Sequence, residues 1–167
     1  THGGDLRAFE AAVLAEYFES RETSDDNRKK LAGNTRLSMS AYGIIDSDAN
    51  LTDFGKELLD RKSDETTLYD RLAKHILLNR HGMTLVRCIQ DMVTAGKVVN
   101  LPLLREELAA RGVYFPSGGK HPSVMRLWLA KAGVFDDSGW QVNPFRVEDI
   151  LGLNPDEFEV LADFTLE

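Results

Sequence analysis

Leu101-Pro102-Leu103-Leu104-Arg105-Glu106-Glu107-Leu108-Ala109-Ala110-Arg111, near the start of the stretch 100–143, sets apolar residues at 101, 104 and 108 with charges between them. Pro102 in the first turn and Gly112 just past the end are start and stop signals, so the spacing predicts a short helix. Residues 113–118 include Pro116, Ser117 and Gly118, with Gly119 next, and read as a turn that no helix continues through. A second helix is expected from His121-Pro122. Its apolar face would carry Val124, Leu127, Trp128 and Ala132, leaving Ser123, Arg126 and Lys131 for the other face, and Gly133 would end it. Val134-Phe135-Asp136-Asp137-Ser138-Gly139-Trp140-Gln141-Val142 then reads as two β-prone runs around a Ser-Gly turn, a hairpin. Upstream, Leu85, Cys88, Ile89, Met92 and Val93 recur at helical spacing within 84–95, with Thr84 as the expected cap.

Helix, turn, helix, hairpin is the order of a winged helix-turn-helix, and residues 84–142 resemble that family of DNA-binding modules. The resemblance makes the helix from His121 the recognition helix and the hairpin its wing. A second stretch has the same character. Ala41-Tyr42-Gly43-Ile44-Ile45-Asp46-Ser47-Asp48-Ala49-Asn50-Leu51-Thr52 reads as strand, polar turn and strand, and Thr52 can cap a helix over 53–61. Tyr42, Gly43, Ile44, Ile45, Leu51, Thr52, Gly55, Lys56 and Leu58 look like a wing followed by its trailing helix. Residues 27–32 and 36–41 would then form the two short helices of a first helix-turn-helix.

Before it, Leu6, Phe9, Val13, Leu14, Tyr17 and Phe18 make an apolar stripe over 5–20, with Asp5 placed as N-cap. Between the two modules, 64–80 reads as a long amphipathic helix carrying Leu68, Leu72, Ile76 and Leu77, closed by His81-Gly82. After the second wing, Asn143-Pro144 turns the chain and 147–151 is a short helical piece. Asn154-Pro155 opens a last acidic helix with Phe158, Val160 and Leu161. The expected fold class is mostly α with small β-hairpins, an α+β chain in which a long helix joins two winged helix-turn-helix modules. The expected domains are 1–63, 64–143 and an acidic helical segment, 144–167.

Composition bounds what such a chain can do. At 167 residues and 43% hydrophobic it is long enough for a packed core. Cys88 is the single cysteine, so no disulfide framework exists and a reducing, cytoplasmic setting is expected. Apolar runs are too short for a membrane span. Thr1 is not a natural start, so a fragment of a longer protein is expected. The formal net charge is −7, but nine acids and one base, Arg146, fall in 136–167, while the first 135 residues hold nineteen bases and eighteen acids. Phosphate binding follows local potential, so the total does not exclude DNA.

Catalytic chemistry is hard to place. His75, His81 and His121 are scattered and lack ligand spacing for a metal. Asp60-Arg61-Lys62 matches the end of a restriction-type nuclease motif, but on a helix and without an acidic partner on an upstream strand. Gly118-Gly119 has no Lys-Ser/Thr continuation to make a nucleotide loop, and no nucleophile constellation appears. No catalytic site and no cofactor are therefore expected in this chain.

In a winged helix the recognition helix reads base edges while wing and turn hold phosphates. The resemblance then implies roles for individual side chains. Arg126 would pair with guanine, Ser123 and His121 would lie at the helix start, and Lys120 and Lys131 would add charge. In the first module Asn34, Arg36, Ser38 and Ser40 would correspond, with Lys29 and Lys30 on phosphates. The paired layout is similar to the target-recognition regions of modular restriction endonucleases and phage-defence proteins, with catalysis in another domain. The expected partner is double-stranded DNA, with other domains of a longer chain meeting the acidic C-terminal segment. Two rival readings are a winged-helix transcription regulator, which would use the same surface, and a protein–protein adaptor in which the winged helices are scaffold and the acidic C-terminal segment is the interface.

Overall fold

Asp5, Ser24, Thr52, Asp64, Asn100 and Asn143 each accept a backbone N–H from the turn that follows, and a helix starts after each of them. These caps satisfy donors that the first turn leaves unpaired. The computed structural model describes residues 5–114, 121–136 and 138–152. The turn holding Lys120 and the expected helix from Asn154-Pro155 lie outside the described residues.

The chain divides into two compact units, Thr1–Ser63 and Asp64–Glu167. In the first, α1 (Leu6–Val13) runs on through a π-helical turn (Leu14–Phe18), where the Glu19 N–H donates to the Leu14 carbonyl. Both pack on α2 (Asp25–Ala41), and α3 (Asp53–Asp60) follows a short loop. The core of this unit gathers Val13, Ala32, Tyr42, Ile45, Ala49 and Leu58.

The second unit holds α4 (Glu65–Asn79), α5 (Gly82–Thr94), α6 (Leu101–Ala110), α7 (His121–Lys131) and α8 (Pro144–Leu151). α4 packs on α5, α7 and α8, while α6 touches α5 and α7. The helix that spacing marks as a linker is thus the spine of the unit, with Ala73, Ile76 and Leu77 fully buried. α8 buries Val147 and Leu151. Between α4 and α5, His81 adopts a left-handed conformation and α5 begins at Gly82, two residues before the expected cap; Thr84 is a buried residue inside the helix.

The expected α+β fold class does not hold: among the described residues there is no sheet, and the architecture is all-α. Each expected hairpin reduces to a single antiparallel bridge, Ile45 with Leu51 and Phe135 with Val142. The reason is length. α2 ends against Gly43, and Thr52 already caps α3, so once the turn 46–50 is made only two residues on one side and one on the other remain to pair. The second loop is squeezed in the same way between Gly133 and Asn143.

The first helix-turn-helix is also absent. Residues 27–32 and 36–41 belong to one uninterrupted helix, α2, which passes through Gly33-Asn34 without a break. With neither a sheet nor two short helices there, the expected pair of winged helix-turn-helix modules is not what the chain builds.

What does recur is a smaller unit. α2 and α7 end alike: Gly43 donates to Ser40 O and Ile44 to Met39 O, as Gly133 does to Ala130 O and Val134 to Leu129 O. Both glycines have positive φ, 70° and 78°, which closes the helix at no steric cost. The bridge follows at the next residue but one. The next helix cap then folds back, Thr52 N–H on Ile44 O and Asn143 N–H on Val134 O. In the first copy Gly55 sits so close to the Ile44 carbonyl that a Cβ would lie 2.1 Å from it. That contact explains the glycine in Leu51-Thr52-x-x-Gly55.

Candidate nucleic-acid interface

α7 has the sequence His-Pro-Ser-Val-Met-Arg-Leu-Trp-Leu-Ala-Lys, and it is the one described α-helix with no Asp or Glu. Its buried stripe is Pro122, Met125 and Leu129, continued by Ala132 after the helix end. This differs from the expected apolar face: Leu127 is 55% exposed, and Val124 and Trp128 are half-buried. The helix is rotated because Met125 and Leu129, three and seven positions on from Pro122, match the helical repeat that meets α4 and α6. Turned outward are Leu127 and Lys131, flanked by the half-buried His121, Ser123 and Arg126.

The loop after α7 holds Arg126 in place. Its Nη1 donates to the Asp136 carbonyl at 3.3 Å, and its guanidinium carbon lies 5.9 Å from the centre of the Trp140 ring. Trp140 stands edge-on to Phe135 at 6.3 Å. The ammonium of Lys131 lies 5.9 Å from the centre of the Tyr69 ring, and Tyr69 packs against Trp128 at 6.4 Å. Of the residues expected in this unit, the structure brings His121, Ser123, Arg126 and Lys131 onto one helix. Lys120 lies outside the described residues.

In the first unit the expected residues all sit on α2, in varied states. Lys29, Lys30 and Asn34 are exposed, and Ser38 and Ser40 are half-buried. Arg36 pairs through Nε with Glu10 of α1, so its charge is balanced within the fold. Arg28 is spent similarly on Asp25 and on the carbonyls of Glu19 and Arg21. The bond from Arg28 holds the Asp25 carboxyl below its ordinary range. What α2 presents to a polyanion is therefore Lys29, Lys30 and Asn34.

One structural cation was not legible as such. Arg146 donates from Nε to the Ala132 carbonyl at 2.7 Å and from Nη2 to Asp70 at 2.6 Å, and it pairs through Nη1 with Asp149. It ties the end of α7 to α4 and α8. Only the Asp149 partner, three residues on, could be read from spacing.

Among the described residues no group of three His, Cys, Asp or Glu side chains is placed to hold a metal ion. Cys88 is buried, and burial pushes its thiol pKa up. None of the described helices is long and apolar enough to cross a membrane. Known protein families, curated proteins and solved structures provide no match to this chain.

Proposed function

We propose that this chain binds double-stranded DNA and reads its sequence with α7. It would act as the target-recognition part of a restriction or phage-defence protein whose catalysis lies in another domain. The observation that carries the reading is α7 itself: a helix free of acids in a chain of 27 acids and 20 bases, with outward Leu127 and Lys131 flanked by the half-buried Ser123 and Arg126. A major groove admits one α-helix, and those four side chains suit its chemistry. Arg126 forks onto guanine O6 and N7, Leu127 meets a thymine methyl, Ser123 takes either edge, and Lys131 meets a phosphate. The hold of Asp136 and Trp140 on Arg126 limits its rotamers before DNA arrives, which reduces the entropy lost on binding.

Selection from a random duplex pool, followed by binding of the winners to variants, tests this. Arg126→Ala should flatten the preference at one base pair at a cost of about 1–3 kcal/mol, and Lys131→Ala should weaken all sequences alike. A pool that never enriches, or an enriched site indifferent to both changes, would sink the reading. Phe145, 81% exposed in the first turn of α8, favours a protein-binding surface instead. Binding to a protein partner through Phe145, with no affinity for duplexes at low salt, would make the adaptor reading the right one.

A further inference from the structure

Beside α7, the second unit carries a groove of about 760 Å³ between α5 and the 135–142 loop, with Gln90, Asp91, Thr94, Trp140 and Gln141 among its walls. That volume lies within the roughly 300–1,000 Å³ typical of small-ligand sites. Three features define what it would hold. Trp140 offers an aromatic wall, fixed by its edge contact with Phe135. Gln90 lines the groove, and its Oε1 is covered from solvent and accepts no hydrogen bond from the protein, so the residue carries an acceptor in need of a donor. Gln141 is exposed at the same rim and can donate or accept. Of the two carboxylates on its walls, Asp91 is engaged with Arg111 at 2.8 Å and Arg87 at 3.6 Å while Asp136 is exposed, and the pair is not part of a metal-holding group among the described residues. A flat ring bearing an N–H donor at its edge satisfies these demands together.

We propose that this groove is a nucleobase site, in which a base stacks on Trp140 and, once the Gln90 amide turns towards it, donates an N–H to Gln90 Oε1. Trp140 also borders Arg126, so the groove opens beside the helix that the DNA reading places on the duplex. A base turned out of that duplex is the expected source. Extrusion costs stacking and pairing, and an aromatic wall with an edge acceptor recovers part of that cost. The pocket chemistry stands by itself; only the source of the base rests on the DNA reading.

The test uses the full chain and two probes. 2-Aminopurine is walked through each position of a selected duplex, and free nucleosides are titrated against tryptophan emission in a Trp128→Phe background that leaves Trp140 as reporter. The expected result is a several-fold rise of 2-aminopurine emission at one position. Trp140→Leu and Gln90→Leu should abolish it, and Trp140→Phe should keep it. Affinity for that duplex should fall about 10-fold in Trp140→Leu. Because Gln90→Leu removes an unpaired buried acceptor, its melting temperature should hold or rise, which separates loss of the site from loss of fold. If no duplex binds but a nucleoside quenches Trp140 in a Gln90-dependent way, the groove stands and the DNA reading falls. A duplex bound without any bright position, together with no nucleoside quenching, overturns the groove and leaves the DNA reading intact. A bright position that survives both leucine variants also overturns it. No duplex binding together with no nucleoside quenching overturns both ideas.

Discussion

A guanidinium has donors enough for several acceptors at once, and Arg146 uses that fork on a carbonyl of the α7 terminus and on carboxylates from α4 and α8. Removing it leaves Asp70 without this partner and Ala132 O without its donor. Its side chain keeps 26% exposure, so solvent takes up part of the loss. Arg146→Ala should therefore cost about 2 kcal/mol of stability in chemical denaturation. Arg146→Lys, with one point of charge and no planar fork, should recover less than half of that. A neutral result for both would show that the three bonds contribute nothing net. Tyr42 gives a pH-dependent counterpart. Burial raises its phenol from 10.0 to about 12. The unfolded chain loses this proton first, so its contribution to stability is complete below pH 10 and is lost as pH rises towards 12. Tyr42→Phe should flatten that alkaline decline, as followed by circular dichroism against pH. Side-chain identities on α7 were open to reading from spacing alone. The pairing of Arg36 with Glu10 was not, because partners 26 positions apart meet only through packing.

At the level of elements, local chemistry told most about where helices begin. Asp5 and Thr52 carry short side chains that reach the first-turn N–H groups, and that mechanism acts within four residues, although Thr84, read in the same way, lies inside α5. It said less about whether a helix continues. Gly33 and Asn34 are weak helix formers and suggested a turn, yet α2 runs through them because packing on α1 and the π-helical turn outweighs a propensity loss of about 1 kcal/mol. This yields a direct check. A Cβ at Gly33 would meet nothing nearer than Glu10 Oε1 at 3.9 Å. Gly33→Ala should then stabilise the first unit by about 0.5–1 kcal/mol, whereas a turn at this position would be destabilised. Thermal denaturation decides between them. The bridge loops were misjudged for a related reason. β-prone residues such as Ile44, Ile45, Val134 and Phe135 are there, but the helix caps on either side leave no chain to extend them. The face of α7 was misplaced because Leu127 and Trp128 are as apolar as Met125 and Leu129. Only contact with α4 and α6 picks the buried pair.

Across the whole molecule, a net charge of −7 repels a polyanion at long range, so the proposed duplex binding would have to come from where the cations lie. Two helices concentrate them: α7 with Arg126 and Lys131, and α2 with Lys29 and Lys30. Reversing Lys29 and Lys30 to Glu should lower affinity for all duplexes without changing the preferred sequence, as competition assays would show. The most direct test of duplex recognition by α7 is fluorescence anisotropy of a labelled selected duplex across about 50 to 200 mM salt, comparing the parent chain with Arg126→Glu/Lys131→Glu. With about four phosphates neutralised, log affinity should fall against log salt with a slope near −3 to −4, and the double variant should not bind measurably. A slope near zero, or a double variant that binds like the parent, would contradict recognition through α7.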